Sequence, residues 1–409
     1  MALPVTRAHA GGDLQVATER TVETAASWIA ATAVLFILTF SYGAPLVASV
    51  ALKEIAADLG SPRWVAALAN ALAWLGMGIG ALGFGWIADR VGIRSAVVFG
   101  ALMTGSGLVL ASQGSAWQLL VGHGVLIGLL GLGAINVPLV IYISRLFDRR
   151  RGSAVALVAS GQYIAGTLWP PCIALGNAQL GWRPTMLLCG LVSALAIVPP
   201  ALMFLRPAPL GPDLAADEVR PGARNPGTRA AFSLLCIAGF LCCTPMAMPP
   251  GHLVALCSDL GIAPTEGATM LSVLLGTALI SRQFWGWLSD RIGGTGTILA
   301  ASFCQAAALL GFALTQDEAG LFAVSAMFGL GFSGIIPAYV IVLRQYFPPQ
   351  EAVWRIPVWF FWNICGMALG GWLAGYIYDQ FGSYAPAFAV GIVLNVGNLA
   401  IIGWLAARE

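Results

Sequence analysis

The sequence predicts an all-α integral membrane protein of twelve transmembrane helices in two six-helix bundles, with both termini cytoplasmic. Three observations carry that expectation. Charged residues make up 9% of the 409 positions and hydrophobic residues 58%, with a mean hydropathy of +0.84, a balance that no soluble domain of this length keeps in solution. The apolar residues fall in long continuous runs without strand alternation. A hydrocarbon core of about 30 Å takes about 20 residues to cross, and helices satisfy their own backbone groups there. The basic residues, finally, are divided very unevenly between alternate loops.

Taken in order, residues 1–27 hold Asp13, Glu19 and Glu23 and no apolar core, so they read as a cytoplasmic tail rather than a signal or transit peptide. Spans follow near 28–52, 64–87, 95–113, 117–144, 153–176 and 184–205, an N-terminal six-helix bundle over 28–206. Residues 207–229 are rich in proline, glycine and charge, as a solvated cytoplasmic linker should be. The second set, near 230–256, 267–288, 297–315, 320–343, 355–378 and 384–406, forms a C-terminal bundle over 230–406 and leaves 407–409 as a cytoplasmic end. With the N-terminus inside, 16 of the 20 lysines and arginines lie on the cytoplasmic side, and Lys53, Arg63 and Arg183 on the other. The remaining one, Arg282, lies within a span.

The halves repeat each other. GWIADRVGIR (Gly85 to Arg94) ends the second span and GWLSDRIGG (Gly286 to Gly294) ends the eighth, both with the pattern G-W-[IL]-x-D-R-[VI]-G. A weaker echo relates Arg145–Ala154 to Arg344–Arg355. Parallel repeats of this kind place a substrate site near the bilayer midplane, between the bundles, and suit alternating access.

Several classes are excluded. A net charge of +2 gives no polybasic surface for nucleic acid, and the eight cysteines lack metal-ligand or disulfide spacing. No phosphate-cradling loop and no catalytic pair is present, so neither an enzyme nor a resident cofactor is expected. What stands out is Arg282. An arginine in hydrocarbon costs about 2.5–3.5 kcal/mol on insertion scales and marks a functional site by default. The residues one turn away, Ala278, Leu279, Trp285 and Gly286, offer no counter-charge, and Asp290 lies about 12 Å further along the axis.

At its two repeated loops the sequence resembles the major facilitator superfamily, whose hallmark is a G-x-L-A-D-R-x-G-R-K type motif after the second span. Here Gly85, Ala88, Asp89, Arg90, Gly92 and Arg94 carry it, with Gly286, Asp290 and Arg291 in the second copy. The resemblance implies that Gly85 and Gly286 allow close helix approach, and that Asp89 and Asp290 meet the N-terminal ends of the eleventh and fifth spans, latching the cytoplasmic side. Within that superfamily the chain is similar to the monocarboxylate transporter-like and oxalate/formate antiporter-like members. His252-Leu253-Val254, Asp259-Leu260-Gly261-Ile262, Arg282 and the run DRRRGSA carry this closer likeness.

That likeness implies a secondary transporter for a small carboxylate, with Arg282 binding the carboxylate through its planar fork of donors. The eleventh span lacks the second cation of the oxalate carriers, which disfavours a dianion. Ala278 stands where animal monocarboxylate carriers have an aspartate, and the first span has no lysine, so proton coupling by that relay is left open. His252 is the remaining candidate for coupling, or else a hydrogen-bonding wall residue. Asn136 is a candidate for hydrogen bonding to substrate, with a packing role as the alternative. Tyr339 and Phe361 are candidates for an apolar wall, or else face lipid or core. The expected partners are a small carboxylate, H+ in the coupled case, and membrane lipid, for a monomer in a bacterial cytoplasmic membrane. A proton-driven drug exporter of the same fold and a non-transporting membrane sensor are the alternatives weighed.

Overall fold

The computed structural model describes residues 23–147, 149–206 and 229–408. Most of the expected tail (1–27) and linker (207–229), and the last residue, lie outside the described residues. Among the described residues every regular element is a helix. The first half contains α1 (Ala25–Ser41), α2 (Gly43–Val50), α3 (Leu52–Asp58), α4 (Arg63–Val91) and α5 (Ile93–Ala111). It continues through α6 (Ala116–Val121), a π-helical stretch (Gly122–Leu132), α7 (Gly133–Leu146), α8 (Arg151–Ala159), α9 (Gly161–Leu180) and α10 (Trp182–Phe204). The second half contains α11 (Arg229–Asp259), α12 (Pro264–Leu314), α13 (Glu318–Phe332), α14 (Ile335–Tyr346), α15 (Pro349–Phe381) and α16 (Ala385–Ala406). Ten helical stretches among the described residues are long and apolar enough to cross a membrane.

Local chemistry sets the breaks. At 51 residues α12 would reach roughly 77 Å if straight, more than twice a hydrocarbon core. Gly293, at φ 75°, turns the chain inside it, where an L side chain would be strained. Gly92, at φ 88°, ends α4 at the equivalent place. These are the last glycines of the two G-W-[IL]-x-D-R-[VI]-G motifs, so the motif carries its own helix stop. The same spacing of 201 residues relates two more pairs of positive-φ glycines, Gly60 with Gly261 and Gly181 with Gly382. The repetition therefore extends well beyond the motif.

The span formed by α1 and α2 is interrupted at Tyr42. There the indole Nε1 of Trp169 donates to the Thr39 carbonyl at 3.0 Å, supplying a partner to a backbone group near the break. Gly43 lies under the same indole, which leaves no room for a Cβ. The halves meet chiefly along two pairs, α4 with α15 and α9 with α12, and more lightly where α11 packs on α2 and α3. Gly375 is one reason they can: a Cβ there would stand 3.0 Å from Ala67 Cβ across the α4–α15 seam.

Candidate functional site

Arg282 is aimed by its neighbours on α12. Ala278, Ser281, Trp285 and Ser289 form the buried stripe of this helix. Ser281 Oγ lies 2.7 Å from Ser333 Oγ, and Trp285 Nε1 donates to the Leu330 carbonyl at 2.6 Å. Both contacts reach the break between α13 and α14, where Gly334 lies against the Trp285 ring. Locking that face leaves Arg282, about 100° around from Ser281, facing α9 of the other half. Its guanidinium carbon stands 5.4 Å from the centre of the Tyr163 ring. Among the described residues it has no carboxylate partner. A cavity of about 260 Å³ opens beside it between α8, α12 and α14, lined by Ser160, Arg282, Trp285, Ser289 and Ile341. The Ser289 hydroxyl is buried there without a hydrogen-bond partner among the described residues.

The balance of energies is informative. A cation–π contact contributes about 0.5–2 kcal/mol, whereas an arginine in hydrocarbon costs about 2.5–3.5 kcal/mol. Tyr163 offsets only part of that cost, and an anion placed beside Arg282 would offset the rest.

Asn136 does not line this cavity. It is buried on α7, with its Nδ2 3.6 Å from Met77 Sδ, and its amide faces the hydroxyl of Tyr42. Tyr42 packs against Trp74, with ring centres 6.1 Å apart, and Arg282 meets Tyr163 alone among the aromatic rings described. Tyr339 is placed elsewhere. Only 1% exposed, it donates to Asn398 Oδ1 at 2.5 Å and lies against Trp359, inside the second half. Asn398, Asn395, Ser302, Gln305 and Cys242 continue that buried network. Tyr339 satisfies a bundle core rather than walling the cavity by Arg282. Phe361 is half-buried on α15 and does not line that cavity either.

His252 sits at the opposite end of the molecule from the arginine-rich loops, where the halves are tied together. Arg63 Nη1 and Nη2 donate to the two Asp259 oxygens at 2.5 and 2.7 Å, and Lys53 Nζ lies 3.0 Å from the same carboxylate. Asp379 accepts the backbone N–H groups of Arg63 and Trp64 at 3.0 and 2.9 Å, capping α4 from the other half. His252 is 1% exposed and reaches this cluster through Tyr384, whose hydroxyl is 3.2 Å from both His252 Nδ1 and Arg63 Nη1. Burial pushes the Tyr384 phenol up from its ordinary pKa, so it keeps its proton. The repeat explains why this end is closed. In the first half, Asp58 is held by Arg183 of the same half at 2.6 Å. The position equivalent to Arg183 is Tyr384, so Asp259 has no cation of that kind at home and takes Arg63 and Lys53 across the seam.

At the arginine-rich end the motif residues behave as a pair of copies. Arg90 lies over Trp86 at 3.6 Å and Arg291 over Trp287 at 3.7 Å, the same i,i+4 contact in each half. Arg94 Nε donates to the Leu205 carbonyl at the end of α10. Asp89 accepts from Arg145 at 2.6 and 3.1 Å instead of meeting the start of α15. Asp290 is exposed. A Cβ on Gly286 would meet open space, and one on Gly85 only Ile141 at 3.7 Å, so these glycines do not mark close approaches here. The ion pairs described at this end, Asp89 with Arg145 and Glu351 with Arg355, each lie within one half.

Sequence reasoning passed over Tyr42, Tyr163, Arg63 and Tyr384. The available signals were the helix-breaking Tyr42-Gly43-Ala44-Pro45 inside the first span and the second aspartate-leucine-glycine, 201 residues after the first.

Two helical halves that cross the membrane repeatedly, tied together at one end and holding between them a cation without a carboxylate partner among the described residues, define a membrane transporter. The chain belongs to the Major Facilitator Superfamily, whose profile matches residues 31–246 and 235–409. It is similar to monocarboxylate transporter 13 of Bos taurus, at 28% identity over 386 residues, covering 90% of this chain and 86% of that protein. Monocarboxylate transporter 11 of Mus musculus is 27% identical over 383 residues, covering 89% of this chain and 83% of that protein. Among solved structures, a bacterial homologue of the human lysosomal transporter Spinster, inward-facing and occupied, superposes with a TM-score of 0.69 at 16% identity. That alignment covers 92% of this chain and 96% of the other. A POT family transporter in complex with 5-aminolevulinic acid gives 0.72 at 14%, covering 92% and 95%. At such identities these structures speak for the fold. The relatives and neighbours are transporters, not enzymes.

Proposed function

We propose that the chain is a secondary active carrier of a small organic monocarboxylate, of the lactate or pyruvate kind, working by alternating access. The observation that carries this reading is Arg282, an arginine within a span that faces the other half across a cavity and has no carboxylate partner among the described residues. A substrate carboxylate would pair with its fork of donors, and neutralising the charge would lower the cost of moving the seam through hydrocarbon. The similarity to monocarboxylate transporters 13 and 11 favours this substrate class. Asn136 would orient the bound acid by hydrogen bonding. Tyr339 and Phe361 remain proposals as apolar wall residues for other stages of the cycle.

In the same reading the chain has twelve spans, with the two limbs of α12 counted separately and α8 with α9 counted as one. The arginine-rich end faces the cytoplasm of a bacterial cell, where both termini lie, and the monomer is the working unit. The described contacts then correspond to a carrier closed on its outer side. Gly85, Asp89, Arg90 and Arg94, with Gly286, Asp290 and Arg291, would form the inner latch when that side shuts.

The test is thermal stabilisation of purified protein by lactate, pyruvate and lactamide, beside Arg282→Gln. A ligand at 100 times its Kd should add about 2.7 kcal/mol. Stabilisation by an acid, absent with the amide and in the variant, is the expected result. An undiminished response in Arg282→Gln would remove the carboxylate reading.

A further inference from the structure

We propose that His252 is a proton-binding site governing the outer closure: the closed gate requires the neutral ring, and a proton on Nδ1 favours the outward-open carrier. This rests on the transport reading and sidedness above. It follows from the polarity of a chain of hydrogen bonds. His252 Nε2 lies 2.7 Å from the Gly371 carbonyl, which only accepts, so Nε2 carries the ring's hydrogen and Nδ1 is a lone pair. Tyr384 therefore donates its hydroxyl hydrogen to Nδ1, leaving its oxygen to accept from Arg63 Nη1. Arg63 also donates from Nη1 and Nη2 to the two oxygens of Asp259. With His252 neutral, each link from Gly371 through His252 and Tyr384 to Arg63 pairs one donor with one acceptor.

A proton on Nδ1 reverses that link. The ring becomes a donor at both nitrogens, and the Tyr384 hydrogen must find another acceptor. The carboxylate beside it, Asp259, is already occupied by Arg63 and Lys53. Charge points the same way. The groups around the ring are Arg63 on α4, Lys53 on α3, Tyr378 and Asp379 on α15, Tyr384 in the turn before α16, and Asp259 on its own helix; the ring itself touches Tyr384. Of the other helices packed on α11, α2 and α16 carry no ionisable side chain, and α12 has Glu266 in its first turn. Within the hydrogen-bonded cluster Lys53 and Arg63 balance Asp259 and Asp379; Asp58 on α3 is paired with Arg183, and no described hydrogen bond joins Glu54 or Glu266 to the cluster, so protonation adds an unbalanced positive charge to it where His252 is 1% exposed. Opening the gate admits water to that charge. The open state thus binds the proton more tightly, and by linkage acid outside shifts the carrier toward it.

The experiment is hydrogen–deuterium exchange of the full chain without substrate, following residues 61–66 and 376–384 from about pH 7.5 to about pH 4.5, corrected for intrinsic rates. The expected result is loss of protection in both segments on acidification. Its size should reach about tenfold for each unit by which the open state's His252 pKa exceeds the closed state's. His252→Gln should abolish the response. Tyr384→Phe, which keeps the ring but removes the relay hydroxyl, should shrink it. A wild type whose protection does not change with pH overturns the proposal, as does an equal acid response in both variants, which would assign the titration to Asp259 or Asp379. Because no carboxylate is present, failure of the substrate reading would show in the stabilisation assay and not here.

Discussion

Arg63→Gln should open the outer side. Arg63 and Asp259 are 12% and 19% exposed and joined by two bonds of 2.5 and 2.7 Å, so this is a largely desolvated, forked pair rather than a surface ion pair. Charge-assisted bonds contribute about 1.5–3 kcal/mol each when one partner is removed. Lys53 stays beside Asp259 at 3.0 Å, and the Asp379 cap is untouched because it uses the backbone of residue 63. Allowing for these, the closed state should lose about 2 kcal/mol, a change of about 30-fold in the closed-to-open ratio. The assay is pulsed EPR between spin labels at Gln113 and Ser383, exposed positions at the outer end of each half, with the exposed Cys172 and Cys304 replaced by alanine. A new long-distance population in Arg63→Gln is expected. An unchanged distribution would refute the claim that this pair holds the halves together.

Four further substitutions probe the rest of the structure. Arg282→Lys keeps the charge but not the fork, and should weaken carboxylate binding by about 10-fold or more in the stabilisation assay; equal binding would mean that a point charge suffices. Trp169→Phe leaves the Thr39 carbonyl without its indole donor and should cost about 1–3 kcal/mol, read as a lowered melting temperature. Gly293→Ala should destabilise by about 1–2 kcal/mol because of its φ of 75°, whereas Gly286→Ala, which meets open space, should be close to neutral. Equal effects of the two glycine changes would contradict the account of the α12 turn.

How far the sequence alone could reach depended on the kind of contact involved. Apolar runs and loop arginines report on insertion, which is local, and the doubled G-W-[IL]-x-D-R-[VI]-G reports on duplication. The membrane class and the family were legible for that reason, as was Arg282, whose cost in hydrocarbon needs no partner to be noticed. The packing of that arginine on Tyr163 joins residues in different halves and left no mark in either stretch. His252 was singled out by its chemistry, yet its connection to Arg63 runs through Tyr384, 132 residues away in the chain. Tyr339 looked like a lining residue because any aromatic on a span does; only the position of Asn398 shows that its hydroxyl is engaged. The Trp86–Arg90 and Trp287–Arg291 contacts were within reach, since i,i+4 neighbours on a helix meet.

Asp58 bound by Arg183 and Asp259 facing Tyr384 are the same corner of the fold drawn twice, with one residue changed. A carrier assembled from two identical first halves would have both aspartates content at home, and neither would reach for its neighbour. Such a symmetric ancestor could rock, but this corner would give it no reason to rest with its outer face shut. Exchanging an arginine for a tyrosine in one copy makes the two halves unequal at this corner, and in the proposed cycle that favours the state in which this end is shut.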